Sequence, residues 1–107
     1  MDKDHLEEVF GLAPYMVEDA AAYLTYVARG LSEVVIVLPA PDMAEQVWEV
    51  LNQHRIARAD AFRNYDILNA YSIASNAVVF YQGDYVVMLM LPDNDAAREI
   101  LEQYIPG

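Results

Sequence analysis

The chain has 107 residues, 56% of them hydrophobic and 21% charged, so it is long enough for one domain with a core and too apolar to be disordered. Six Lys and Arg against seventeen Asp and Glu give a net charge of −11, which disfavours nucleic acid and anionic membrane surfaces as partners. The lack of cysteine excludes disulfides, thiol catalysis and thiolate metal sites. We expect a single domain over residues 1–107.

The N-terminal third predicts a helix followed by a strand. Residues Asp4–Phe10 have one apolar helical face, and Gly11 follows at a C-cap position. Tyr23–Arg29 consists largely of β-favouring residue types and predicts a strand. The alternative is a helix over Glu18–Arg29, because its three consecutive alanines favour one. A hairpin connection at Gly30–Ser32 then leads to the next strand.

A strand over Glu33–Leu38 ends at two prolines and precedes a long helix. Asp42 and Glu45 resemble a capping box, with Asp in place of Ser or Thr. The long helix is expected to run to about Phe62 or Arg63, and its apolar face consists of Ala44, Val47, Trp48 and Leu51. A break at Asn64–Asp66 separates it from a shorter helix over Ile67–Ser75.

The C-terminal third predicts a hairpin and a final helix. Residues Asn76–Leu91 contain two apolar strands around Gly83–Asp84, which suits a two-residue turn because glycine adopts positive φ readily. The final helix is expected to begin near Asn94 and to end at Pro106–Gly107. Helical spacing gives it a narrow stripe that we expect to be buried: Ala97, Ile100, Leu101, Tyr104 and Ile105.

The predicted order is helix, two strands, long helix with a shorter one, two strands, helix. This order indicates an α+β domain of two layers, with a four-stranded, mostly antiparallel sheet and helices packed on one face. Two strand–strand–helix units follow one another in the chain, which suggests an approximate internal two-fold.

The strands are apolar on both faces. In Tyr85–Leu91, alternate residues point to opposite sides of the sheet, and both sets are apolar; the same holds for Val34–Leu38. A two-layer sheet normally exposes polar residues on its open face. We therefore expect the second face to be covered by the N-terminal helix, by Ile67–Ser75 or by another chain. A homodimer through the sheet face or a free edge is the intermolecular alternative.

No motif in the chain predicts a reactive site. His5 and His54 have no neighbour at metal-ligand spacing, and the isolated glycines form no phosphate loop. Asp93–Asp95 lacks the glycine and the closing glutamate of a calcium loop, and helix capping explains it. No serine lies in a nucleophile-elbow motif. We expect no catalytic, metal or cofactor-binding residues and no bound cofactor.

Two groups of residues are candidates for an interaction surface. Arg55 and Arg58 are i, i+3 neighbours on the long helix and, with Arg63, suit either an anion contact or ordinary pairing with acids such as Asp60. Eight tyrosines are many for this length. Four of them flank the predicted break or the hairpin turn, where they suit either recognition or cross-strand packing: Tyr65, Tyr71, Tyr81 and Tyr85.

A family resemblance is carried by five parts of the chain: Phe62–Tyr65, Asn76–Val79, Gly83–Val87, the strand Glu33–Val37 and the charged helix around Arg55. In these parts the chain resembles an uncharacterised family of small bacterial lipoproteins, a domain of unknown function. The resemblance spans nearly the whole chain and implies no catalytic residues. It implies a leader with a lipidated cysteine and a location outside the cytoplasmic membrane. Neither a leader nor a cysteine is found in this chain, so contact with a membrane is expected only through a lipid anchor that the chain itself does not contain.

These observations predict a non-enzymatic, extracytoplasmic binding or interaction domain. Its partner is an unknown protein or a second copy of the chain, and its location is cytoplasmic if the resemblance fails. The alternative is a small carboxylate-based hydrolase or isomerase, which requires a concave pocket that holds a perturbed carboxylate.

Overall fold

A computed structural model describes residues 3–25, 32–63 and 70–105. Its elements, in chain order, are helix α1 (Lys3–Phe10), a 3-10 turn (Pro14–Met16), strands β1 (Val17–Thr25) and β2 (Ser32–Pro39), helices α2 (Ala44–Phe62) and α3 (Ala70–Ser75), strands β3 (Val78–Gln82) and β4 (Tyr85–Met90), and helix α4 (Asn94–Tyr104). The α+β class and the element order are confirmed. The predicted break at Asn64–Asp66, the residues Ile67–Asn69 and the end at Pro106–Gly107 lie outside the described residues.

The four strands form one antiparallel sheet in the order β1-β2-β4-β3. β2 and β4 are central and pair with Val35 opposite Met88, while β1 and β3 are the edges. β3 and β4 are joined by the predicted two-residue turn, in which Gly83 has a φ of 58°. Positive φ is a conformation that glycine adopts without a steric cost, which explains the residue type at this turn.

β1 begins at Val17 rather than at Tyr23, so the alternative of a helix from Glu18 is wrong for the described part of that segment. Its eight paired positions with β2 outweigh the helix propensity of its alanines, because tertiary pairing overrides local propensity. Ala20 and Ala22 face the main core, where small side chains leave room for the layer above. The predicted end of this strand and the connection at Gly30–Leu31 lie outside the described residues.

The main core lies between one face of the sheet and helices α1, α2 and α3. The sheet contributes buried side chains of β2 and β4, namely Val35, Val37, Val86, Met88 and Met90. The helices contribute Leu6, Phe10, Val47, Leu51, Ala70 and Ala74. We call this side of the sheet the first face.

The opposite side, here called the second face, is covered in part by α4. Phe80, Val87 and Leu89 are buried there against Ala97 and Leu101 of the helix. The sheet is thus apolar on both faces, as predicted, and three of the four helices in the described residues lie on the first face. The expectation that all helices share one face is wrong for α4. The expectation that α1 or the Ile67–Ser75 segment covers the second face is wrong for α1 and for Ala70–Ser75, the part of that segment that the structure describes. The first face is already occupied by α2, so the apolar stripe of α4 packs on the other one.

Helix α4 runs back along β4 in the opposite direction. At its start, Asp93 caps the helix by accepting a hydrogen bond from the Ala96 amide at 3.0 Å. At its end, Gln82 Nε2 of β3 donates to the Ile105 carbonyl at 2.6 Å. The stripe is only partly buried, contrary to the prediction: Ile100 is 56% exposed and Tyr104 is 80% exposed. The apolar stripe of α4 is therefore wider than its contact with the sheet.

The internal two-fold holds for the strands and fails for the helices. A two-fold axis normal to the sheet between β2 and β4 exchanges the two antiparallel hairpins. Such an axis keeps each face of the sheet on its own side, so it would place α2 and α4 on the same face. They lie on opposite faces. The similarity of the two units is therefore one of local sequence and not of packing.

The capping box predicted at Asp42 and Glu45 is absent. Helix α2 has Met43 at its N-cap and receives no side-chain cap hydrogen bond. Asp42 has a φ of 64°, a left-handed conformation that Asp tolerates better than most residues. Together with Pro41 it forms the centre of a turn in which the Met43 amide donates to the Ala40 carbonyl at 3.0 Å. The predicted end of α2 at Phe62 is confirmed.

Candidate functional site

A carboxylate lies inside the main core. Glu33 of β2 is 0% exposed and shares the first face with Val35 and Val37. Its Oε1 lies 2.6 Å from Nε2 of His54, and its Oε2 accepts a hydrogen bond from Nε of Arg58 at 2.8 Å. Both oxygens of the buried carboxylate are therefore engaged by side chains of α2.

The position of this network follows from the spacing of its residues along α2. Val47, Leu51, His54 and Arg58 are separated by four, three and four residues, so they form one stripe along the helix. The first half of the stripe is apolar and the second half is cationic or polar. The ring of Phe10 from α1 meets the His54 ring edge to face at 4.7 Å. The network thus joins β2, α2 and α1.

The geometry indicates that the network has a structural role, which is to fix the placement of α2 on the sheet. An unpaired carboxylate in a core is costly, whereas one held by two donors is tolerated and requires a single placement of the helix. A carboxylate next to an imidazole also resembles the arrangement that orients a general base. The His54 side chain, however, is only 8% exposed. The shallow depression of about 400 Å³ beside it is lined by the described residues Phe10, Gly11, Glu49, Val50 and Gln53, none of them a Ser, Thr, Cys or Lys nucleophile.

The two arginines proposed for an interaction surface serve different contacts. Arg55 donates from Nε to Asn52 Oδ1 at 2.7 Å, while Arg58 reaches inward to Glu33. The expected pairing of a cation with Asp60 is confirmed, because Arg63 Nη2 lies 2.7 Å from Asp60 Oδ1 in an exposed pair. In the part of the chain that the structure describes, no three His, Cys, Asp or Glu side chains are grouped so as to hold a metal ion.

The candidate tyrosines do not gather into one surface. Tyr81 is 54% exposed, and its neighbour Val79 belongs to the first face, whereas Tyr85 packs with the cluster of the second face. They are thus on opposite sides of the hairpin and form no cross-strand pair. Tyr71 lies on α3 and is 37% exposed, and Tyr65 lies outside the described residues.

A second site is the uncovered half of the second face. Adjacent strands are about 4.8 Å apart, so four strands span roughly 14 Å between the outer two, while a helix with side chains is about 10 Å wide. Helix α4 covers β3 and β4. The part over β1 and β2 presents apolar side chains that are exposed or half-buried, here called the β1–β2 trough: Ala21, Tyr23, Val34, Ile36 and Leu38.

Sequence reasoning missed both sites, although signals for them exist. Glu33 has the same strand phase as Val35 and Val37, so a period-two analysis of β2 places a carboxylate among core residues. His54 and Arg58 continue the stripe of Val47 and Leu51 in the same way. The sequence signal for the β1–β2 trough is weaker, because the position of the trough depends on which strands the last helix covers.

We expect the Glu33–Arg58 pair to contribute strongly to stability. Arg58→Met should lower the free energy of unfolding by about 2 kcal/mol or more, because Glu33 then stays buried with one donor fewer. Adding Glu33→Met should recover part of this loss, which gives a coupling energy above about 1.5 kcal/mol in a double-mutant cycle. Urea unfolding followed by the fluorescence of Trp48, the single tryptophan, measures each variant.

The exposed pair Asp60 and Arg63 is the matched control, since it also joins a carboxylate to an arginine and lies at the C-terminal end of α2, but in solvent. Its coupling energy should be about 0.5 kcal/mol or less, as is usual for exposed pairs. Equal coupling energies for the two pairs would contradict the conclusion that the buried network fixes the placement of α2 on the sheet.

Comparison with known proteins identifies a family without an assigned function. The model of a domain of unknown function, DUF4358, matches residues 1–91, which extend from α1 through β4. No curated protein and no solved structure matches the chain. None of the helices in the described ranges is both long and apolar enough to cross a bilayer. Because the match covers well over half of the sequence, the chain belongs to the DUF4358 family.

Proposed function

We propose that this domain is a non-enzymatic interaction module that binds its partner through the β1–β2 trough and acts outside the cytoplasmic membrane. The observation that carries the proposal is the half-covered second face. In the part of the chain that the structure describes, Ala21 and Tyr23 are exposed, and the neighbouring apolar residues of β2 are only half-buried although they continue directly into a buried cluster. Such patches mark interaction surfaces. Tyr23, 58% exposed at the edge of the trough, has the residue type that interfaces favour.

The charge distribution supports the same surface. The chain carries a net charge of −11, yet the five residues that define the trough are uncharged, and the nearest carboxylate in the strand register is Asp19, which pairs with Leu38 at the end of the trough. A partner with an apolar surface can therefore dock over Ala21, Tyr23 and Ile36 without desolvating a carboxylate, which is the costly step at an acidic surface. The remaining acidic surface limits non-specific association.

The non-enzymatic part of the proposal is supported by the state of Glu33. The alternative of a carboxylate-based hydrolase or isomerase needs a carboxyl group that substrate can reach. Glu33 is 0% exposed and both of its oxygens are engaged, by His54 and Arg58. A group held in this way supports the helix layer rather than proton transfer to a bound molecule.

The extracytoplasmic part is supported by the sequence resemblance to small bacterial lipoproteins. In that setting a lipid anchor holds the protein at the membrane, and the domain presents the trough to other proteins of the cell envelope. This proposal uses the β1–β2 trough instead of the interaction surface expected from the sequence, which comprised Arg55, Arg58, Tyr65, Tyr71, Tyr81 and Tyr85.

Photo-crosslinking tests the trough as the binding surface. A photoreactive phenylalanine analogue in place of Tyr23, in the full-length protein in its native cells, should give an adduct of defined mass. The same analogue in place of Tyr15 is the control, since Tyr15 is 73% exposed but lies beside α2 and away from the trough. The adduct at Tyr23 should be lost when Ile36→Glu places a charge in the trough. Equal labelling at the two tyrosines contradicts the proposal.

Cell fractionation tests the location. The native full-length protein should sediment with membranes, should incorporate a radioactive fatty acid, and should be digested by protease added to cells whose outer barrier is opened while the cytoplasmic membrane stays intact. An unlabelled protein that stays in the cytosolic fraction and resists protease would refute the extracytoplasmic assignment and leave the trough proposal untouched.

A further inference from the structure

Strand β1 is an edge of the sheet, and in the described residues it pairs with β2 on one side only. In an antiparallel pair, successive residues direct their N–H and C=O groups alternately towards the neighbouring strand and away from it. Half of the backbone groups of β1 therefore point out of the sheet. Such groups form hydrogen bonds readily with a further strand.

The β3–β4 hairpin determines which residues of β1 these are. Gln82 and Tyr85 flank its two-residue turn, and residues in that position bond to each other. Tyr85 thus bonds to β3, so by alternation Met88 bonds to β2, where it pairs with Val35. Because Val35 directs its backbone groups to β4, the residue opposite it on β1, Ala22, receives none of them. The N–H and C=O of Ala22 therefore point out of the sheet.

By the same alternation, Ala20 and Leu24 also direct their backbone groups outwards. A hydrogen bond agrees with this assignment, because the Ala20 N–H donates to Asp19 Oδ1 at 2.9 Å in an exposed position and not to β2. The Asp19 side chain occupies the edge at this end. Among the described residues, the outward groups of Ala22 and Leu24 have no hydrogen-bond partner. The open part of the edge is therefore centred on Tyr23.

We infer that the β1 edges of two copies of the chain pair in antiparallel fashion, about a two-fold axis normal to the sheet at Tyr23, and form one continuous sheet. In this register Ala22 of each copy lies opposite Leu24 of the other, and each such pair exchanges two hydrogen bonds. The Asp19–Ala20 hydrogen bond stays intact. The contact is self-complementary, as a two-fold interface requires. The inference goes beyond the proposed function, because it uses the edge of β1 and not the trough.

Charge favours a second copy as the occupant of this edge. The chain has a net charge of −11, yet residues 20–25 carry no charged side chain. Asp19 lies four residues from Tyr23, so the Asp19 residues of the two copies are about 27 Å apart along the strands. That distance exceeds the Debye length of about 8 Å at physiological salt. An uncharged edge gives a basic strand no carboxylate to pair with, whereas it matches another edge of its own kind.

The pairing also organises the second face. Tyr23 is 58% exposed there, and at the axis it meets Tyr23 of the second copy as a non-hydrogen-bonded cross-strand pair. Aromatic pairs in this position stabilise antiparallel strands. The β1–β2 troughs of the two copies then lie side by side, as one apolar surface bounded by the two α4 helices.

Sedimentation equilibrium over a concentration series tests the inference. The wild-type domain should dimerise, and Ala22→Pro should raise the dimer dissociation constant by at least about tenfold, because each copy loses a donor that crosses the contact. The fold tolerates this change, since the Ala22 N–H makes no bond within the sheet.

Tyr81→Pro is the matched control. Tyr81 lies on the opposite edge strand, is 54% exposed, and by the same alternation also directs its N–H outwards. Its replacement should leave the dimer dissociation constant within about twofold. Circular dichroism verifies that both variants stay folded.

Cysteine crosslinking tests the register and does not depend on the proline variants, since the chain has no cysteine of its own. Under mild oxidation, Tyr23→Cys should form a disulfide-linked dimer much faster than Ala21→Cys. Both positions are exposed on the same face of β1, but the two copies of Ala21 are about 14 Å apart along the strands, which a disulfide cannot span.

A monomer at every concentration, a dimer that Ala22→Pro leaves unchanged, or equal crosslinking rates at the two positions each overturn the inference. A monomeric domain that still gives a specific adduct of a different protein at Tyr23 overturns it while the proposed function stands. A dimer with the predicted crosslink that gives no adduct of another protein supports the inference and removes the proposed function.

Discussion

The constraint on which the rest of the structure depends is a four-stranded sheet with apolar side chains on both faces. Val35 and Val37 of β2 point to one side, and Val34 and Ile36 to the other. Each face therefore needs a covering layer to keep its apolar surface from water. In the described residues, three helices cover the first face, while the second receives one helix, which is narrower than the sheet. The half of the second face beside this helix is the surface that the proposed interaction uses.

The first face is ordered by a buried charge. Glu33 sits among the valines of β2 and accepts from two side chains of α2, so the helix has one placement in which the carboxylate is satisfied. An apolar stripe alone would allow the helix to slide or rotate on the sheet at small cost. The network thus specifies how α2 lies on the sheet.

The sequence allowed the elements to be predicted where local rules act. Alternation along Tyr85–Met90, the Gly83–Asp84 turn and the helical stripe of α4 all reflect contacts between near neighbours in the chain. The errors in β1 and α4 arose where distant contacts decide. The alanines of β1 form a strand because they pair with β2. Helix α4 packs on the second face because the first face is already occupied by other helices. The missed capping box at Asp42 is a local error, since Pro41 and Asp42 form the centre of a turn. Glu33 could have been found from its strand phase, whereas the trough depends on strand order, which no local pattern encodes.

Solvent accessibility of methyl groups on β2 tests the central claim, that helix α4 covers only part of an apolar second face. Relaxation of methyl signals by a soluble paramagnetic probe can be measured by NMR at low protein concentration. The account predicts that the probe relaxes the methyl signals of Ile36, which is half-buried on the second face, clearly more than those of the adjacent Val35, which is fully buried on the first face. If the signals of Ile36 are as protected as those of Val35, the second face is fully covered and the account is contradicted.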